Sequence, residues 1–210
     1  MNSLVWKVGG GVGASTAVAG TIGIVSHTSK KVSVPIKTLL SKGRPDKRLL
    51  FAARGATDPD WKAAWKRYIN GYAGSKGDPF SLKTFTEGNA PAAFMSKCEG
   101  LFEEKAVDES DDKYNLALEF CTRDTLVSDF IWEQEKQALS DKNSNQWSSL
   151  WTQYKSNGDL WKLNKPSDSN APDEFKDRCI KETTSKAKDA RAPEVLAALN
   201  YCSIVRAGTS

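Results

Sequence analysis

The sequence has one histidine, His27, in 210 residues. That scarcity removes most of the acid–base, nucleophilic and metal chemistry that proteins build on imidazole. His27 adjoins an apolar run far along the chain from any cysteine, so it is no partner for a thiol nucleophile. There is no G-x-S-x-G, P-loop or H-E-x-x-H pattern, and the glycines Gly9 to Gly13 are not followed by the Gly-Lys-Ser/Thr that cradles phosphate. No C-x-x-C pair exists among the four cysteines, which disfavours zinc. Ordinary glycine and proline counts, 15 and 8, exclude collagen-like and low-complexity chains. With 39% hydrophobic and 27% charged residues, neither a polytopic membrane protein nor a wholly disordered chain is expected.

The net charge of +4 conceals two opposite balances. Residues 1–57 carry nine basic groups against one acidic group, Asp46, whereas residues 58–210 carry 21 basic and 25 acidic groups. A mildly acidic body is a poor partner for nucleic acid, so none is expected. The basic stretch follows an uncharged apolar run over residues 8–25, with Val8 at its start and Val25 at its end, and anionic lipid headgroups are its natural counter-charge. Eighteen helical residues rise roughly 27 Å, close to the thickness of a bilayer core. Six of the eighteen are glycine, which makes the span borderline. An uncleaved membrane anchor ranks first, ahead of a cleaved signal peptide ending near Ala17-Val18-Ala19 and a Gly-rich tail. Positive-inside bias, from five basic residues between Lys30 and Arg44 against Lys7 and the N-terminal amine, would put the body in the cytoplasm.

An internal repeat is the most specific signal. Trp61, Trp65 and Tyr68 recur as Trp147, Trp151 and Tyr154 at an offset of 86. Ala90-Pro91-x-x-Phe94-x-x-x-Cys98 recurs as Ala171-Pro172-x-x-Phe175-x-x-x-Cys179, and Ala117-Leu118-x-Phe120-Cys121 as Ala198-Leu199-x-Tyr201-Cys202, both at an offset of 81. Order is kept and a single five-residue indel suffices, so we read a duplication. The apolar spacing inside each copy is helical, as in Trp61, Trp65 and Tyr68 at i, i+4 and i+7, which predicts three short amphipathic helices per copy. Asp58-Pro59 and Asn145 suit helix starts.

The expected fold is therefore all-α: two tandem three-helix units joined by a helix and preceded by an N-terminal membrane-anchor helix. The boundaries are 1–29 for the anchor or signal segment, 30–57 for a basic juxtamembrane linker, 58–121 for the first repeat, 122–144 for a connecting helix and 145–210 for the second repeat. Alternation of period two is confined to residues 31–36.

All four cysteines belong to the repeat, and the partners within each copy are 23 residues apart. Disulfides Cys98–Cys121 and Cys179–Cys202 are preferred, with buried thiols and a four-thiolate metal site as alternatives. The aromatic residues Trp61, Trp65, Tyr68, Phe94, Trp147, Trp151, Tyr154 and Phe175 read as the cores of the two copies rather than as ligand contacts. Glu103-Glu104 and the acidic residues from Asp108 to Asp112 read as a solvated acidic loop. Arg123-Asp124-Thr125 reads as a helix start with local charge pairing. No catalytic residue, metal ligand, cofactor or small-molecule substrate is expected. A carboxylate-only hydrolase centred on Glu103 or Glu104 is the weakest alternative.

The Gly/Ala-rich apolar segment, the basic stretch from Lys42 to Leu49, the Trp61-Lys62-Ala63-Ala64-Trp65-Lys66-Arg67-Tyr68 helix and the run Cys121-Thr122-Arg123-Asp124-Thr125-Leu126-Val127-Ser128-Asp129 together resemble the paralogous families of hypothetical proteins of haemotropic mycoplasmas. Those families have no established activity, so no functional residue carries over. The resemblance implies a membrane-tethered protein displayed to a host, with the body extracellular. The expected function is thus a single-pass surface antigen or host-interaction module without catalysis. The alternative is a cytoplasmic-face membrane scaffold that holds other proteins.

Overall fold

Residues 32–206, apart from 76, 166 and 168, are described by the structure, a computed structural model of the chain. The Asp58 carboxylate accepts the amides of Asp60 (2.9 Å) and Trp61 (3.2 Å), with Pro59 in the first turn, where its missing N–H costs nothing. The helix so started runs over Pro59–Tyr72 and buries Trp61, Ala64, Trp65, Tyr68 and Ile69, one stripe at helical spacing. Its counterpart, Trp147–Ser156, has no side-chain cap; Asn145, expected to cap it, precedes its N-cap residue Gln146.

In chain order the first copy comprises β1 (Val34–Pro35), α1 (Ile36–Gly43), β2 (Lys47–Leu49), a 3-10 turn (Ala52–Arg54), α2 (Pro59–Tyr72), α3 (Ala92–Glu103), β3 (Lys105–Ala106), α4 (Asp112–Phe120) and β4 (Thr122–Asp124). The second comprises α5 (Val127–Glu133), β5 (Lys136–Ala138), α6 (Trp147–Ser156), α7 (Asp173–Thr184), α8 (Pro193–Tyr201) and β6 (Ser203–Val205). Three two-stranded antiparallel ribbons form: β1 with β3, β2 with β4, and β5 with β6. An isolated bridge between Leu126 and Lys186 stands in the second copy where β1–β3 stands in the first.

Each copy has its own apolar core, one drawn from residues 36–121 and the other from 127–202. The two centre on Phe94 and Phe175, and their ring geometry repeats closely. Phe94 lies 5.9, 5.1 and 5.2 Å from Trp61, Trp65 and Tyr68; Phe175 lies 6.0, 5.1 and 5.2 Å from Trp147, Trp151 and Tyr154. The disulfides Cys98–Cys121 and Cys179–Cys202, with Cα separations of 5.3 and 5.1 Å, tie α3 to the end of α4 and α7 to the end of α8. All four cysteines are fully buried.

The all-α expectation is corrected, because six short strands are present among the described residues. None exceeds three residues, too few for alternation to register in sequence. Each copy also holds four helices rather than three. The fourth is α1 in the first copy, inside the segment 30–57 read as a linker, and α5 in the second, inside the segment 122–144 read as a connecting helix. Both open an extended repeat. Ile36 and Val127 donate their amides to Glu104 O (2.8 Å) and Ser185 O (2.9 Å), and Leu50 and Leu139 donate to Cys121 O (3.0 Å) and Cys202 O (2.9 Å). The structural unit is thus longer than the matching sequence and begins near residue 34 and residue 125. Among the described residues no helix is long and apolar enough to cross a membrane, and the expected anchor at residues 8–25 lies outside them.

Two stability losses are expected. Replacing both cysteines of either pair by alanine should cost about 3 kcal/mol, the loop-closure value for a 23-residue separation. Phe175→Ala should cost about 3–5 kcal/mol. Urea unfolding monitored by tryptophan fluorescence measures both.

Candidate interaction surface at the repeat junction

The two copies meet along one extended segment, residues 122–127. Its first half, β4, pairs with β2 in the register Lys47 to Asp124, Arg48 to Arg123 and Leu49 to Thr122. Thr125 is the pivot. Its amide donates to Asp46 O (2.9 Å) and its hydroxyl to Pro45 O (2.8 Å), both in the first copy, while its carbonyl accepts Ala187 N (2.9 Å) of the second. It is fully buried.

Charge pairing surrounds this segment. Arg123 makes a two-pronged contact with Asp129 at 2.7 Å on each prong, and Asp129 also accepts the Leu126 amide at 2.8 Å. Burial by itself would raise the Asp129 carboxyl, but the Arg123 guanidinium and the Leu126 amide outweigh it and hold the pKa below the usual range. Asp124 lies between Lys186 (2.5 Å) and Lys47 (2.6 Å), whose ammonium groups push its pKa down to about 2. Arg48 reaches Glu133 (2.7 Å) and lies over the Phe130 ring (5.1 Å). Arg44 forks onto Asp46 (2.9 and 2.8 Å). Of the basic residues read as lipid-facing, Arg44, Lys47 and Arg48 are therefore folded into the junction.

Two clefts adjoin it. One, of about 530 Å³, is lined by Arg44, Lys47, Arg67, Arg123 and Lys186 with Glu119 and Asp124. The other, of about 690 Å³, is lined by Lys47, Arg48, Arg54 and Arg123 with Glu133, and by the aromatic rings of Phe51 and Trp132. Phe51 and Trp132 are 51% and 57% exposed, among the most exposed large apolar side chains of the described residues. The Arg206 guanidinium sits 3.9 Å from the Trp132 ring centre.

The sequence-derived core residues lie elsewhere. Trp61, Trp65, Tyr68, Phe94, Trp147, Trp151, Tyr154 and Phe175 are all buried. Smaller pockets of about 220 and 320 Å³ flank Trp65 and Trp151, whose rings already pack on Phe94 and Phe175. A paired feature absent from the sequence reading is a tyrosine–aspartate turn. Tyr68 donates to Asp78 and accepts the Phe80 amide (3.0 Å); Tyr154 donates to Asp159 (2.7 Å) and accepts the Trp161 amide (2.7 Å). Burial, then the aspartate, raises both phenols, Tyr154 to about 12. Within these turns Ser81 (φ 53°) and Lys162 (φ 54°) adopt the left-handed region. Asp78 and Asp159 are 81 residues apart, so the five-residue indel falls between Tyr68 and Asp78, and that spacing was a usable signal.

Glu103 pairs with Lys37 (2.7 Å) and Glu104 with Lys113, so the two carboxylates do not converge. Asp111 caps α4 by accepting the Lys113 amide (2.8 Å). Among the described residues no group of three or more His, Cys, Asp or Glu side chains is placed to hold a metal ion. No family model, curated protein or solved structure matches the chain.

Two substitutions probe the junction. Thr125→Val keeps the shape but strands the Pro45 carbonyl, and should cost about 1–2 kcal/mol in urea unfolding. Asp124→Asn should cost about 1 kcal/mol at neutral pH, allowing for solvent at this partly exposed cluster. Because the folded pKa lies below the unfolded value of about 3.9, the Asp124 contribution is complete above that pH and fades as pH falls toward 2. The Asn variant should therefore lose stability less steeply than the parent over that interval.

Proposed function

We propose that the chain is an exported contact module, displayed at or beyond the cell surface, which works by binding a partner rather than by catalysis. The observation that carries this reading is the pair of disulfides, one in each core. Such bonds persist in oxidising compartments and are rare where thiols are kept reduced. The apolar run at residues 8–25 supports export at the level of sequence, as does the resemblance to surface-displayed families. A rigid double core with aromatic and cationic side chains at its junction suits recognition, since arginine and tryptophan are the side chains that binding sites most often use as anchors.

Intact-mass measurement of the protein from its native cells, with alkylation before and after reduction, tests this. The expected outcome is no alkyl adduct before reduction and four after it. Four adducts without reduction would contradict export and leave the cytoplasmic-face scaffold as the reading.

A further inference from the structure

Two Asn-Gly pairs occur in the chain, Asn70-Gly71 and Asn157-Gly158. Such a pair is chemically labile in water, because a glycine amide with no Cβ beside it swings readily onto the carboxamide of the preceding side chain. Both asparagines are exposed, so solvent access does not separate them, but the backbone does. Asn70 and Gly71 lie inside α2 (Pro59–Tyr72), where each amide is directed along the axis at a carbonyl one turn back and away from the preceding side chain. A Cβ at Gly71 would stand 3.7 Å from the Phe120 ring, so this stretch is also packed against a neighbour.

Asn157 is the C-cap of α6 (Trp147–Ser156), where the regular ladder has ended. The Gly158 amide reaches Lys155 O at a long 3.3 Å, its φ is +89°, and nothing stands within 4 Å of where its Cβ would be. Packing therefore does not resist rotation of the Asn157-Gly158 peptide, and helix ends fray. Two residues from Asn157, Asp159 accepts the Tyr154 hydroxyl (2.7 Å) and the amides of Leu163 (2.8 Å) and Asn164 (2.6 Å). Tyr154 is buried 5.2 Å from the central Phe175 ring, so this turn is joined to the second core. The corresponding Asp78 of the first copy is preceded by Lys76-Gly77, which has no carboxamide to react.

We propose that Asn157 is a site of spontaneous deamidation, and that its conversion loosens the tyrosine–aspartate turn of the second copy while sparing the first. The Gly158 nitrogen bonds to Asn157 Cγ and gives up its proton, and Nδ2 leaves as ammonia. Water then opens the cyclic imide at either carbonyl, leaving aspartate or isoaspartate. Either product loses the Nδ2 donor now on Gln153 O (2.8 Å) and places a negative charge at the negative end of the helix dipole. Isoaspartate also lengthens the backbone by one methylene just ahead of Asp159.

Incubation of the full, oxidised chain in mildly alkaline buffer for several weeks, followed by peptide mapping and hydrogen exchange, tests both parts. The mass gain of replacing NH2 by OH should appear at Asn157 about tenfold faster than at Asn70 in the folded chain, and at similar rates at both in guanidinium. In the converted protein the Leu163 and Asn164 amides should exchange about tenfold faster, and the Phe80 and Leu82 amides of the first copy should not change. Asn157→Gln, whose extra methylene disfavours ring closure, should stay unmodified and keep its original exchange. The site is overturned if Asn157 converts no faster than Asn70 in the folded chain, or if the same ratio persists in guanidinium, where local sequence alone would set it. The loosening is overturned if the converted protein exchanges at the original rate, or if the Asn157→Gln chain acquires the same change on incubation.

Discussion

One phenylalanine in each copy, Phe94 and Phe175, receives the rings of two tryptophans and a tyrosine from a single helix face, and the rest of each unit follows from that contact. A ring buried on all sides requires partners at i, i+4 and i+7 on the facing helix, which is the spacing kept in both copies. The helix that carries the phenylalanine carries a cysteine four residues later, and the disulfide binds it to the last helix of the same copy. A change of helical phase on either side would pull the sulfur away from its partner. Aromatic packing and the covalent bond therefore enforce the same register.

The junction obeys a different rule. It occurs once, so selection on it cannot leave a duplicate. Arg123 and Asp124 sit in β4 where the second copy has Ile204 and Val205 in β6, and Asp129 in α5 corresponds to Thr38 in α1. The buried threonine between the cores makes the same point: one amide, one hydroxyl and one carbonyl are divided between the two copies. A charged, partly buried seam adds little net stability compared with an apolar one, but it fixes how the copies are joined and leaves cations beside open clefts.

The balance between what could and could not be read from sequence has the same origin. The tryptophan, Ala-Pro and cysteine motifs were legible because large aromatic and sulfur side chains at fixed spacing tolerate little change. The opening helix and strand of each copy were not. There the copies share only apolar character, as in Ile36 with Val127, Leu40 with Ile131, and Leu50 with Leu139, and the strands are too short to show a period. The positive charge of residues 30–57 pointed to a lipid surface because a sequence shows charge without its partners. In the fold, Arg44, Lys47, Arg48 and Arg54 meet Asp46, Asp124, Glu133, and Asp58 with Asp60. Arg123-Asp124-Thr125 was recognised as locally charge-paired, but its place is a strand that joins two cores.

Two self-contained cores, each closed by its own covalent bond, underlie the fold, and disulfide connectivity tests that most directly. Proteolysis of the unreduced protein followed by mass spectrometry should yield one cross-linked peptide pair joining Cys98 to Cys121 and a second joining Cys179 to Cys202. A bond between either of the first two cysteines and either of the last two would contradict it.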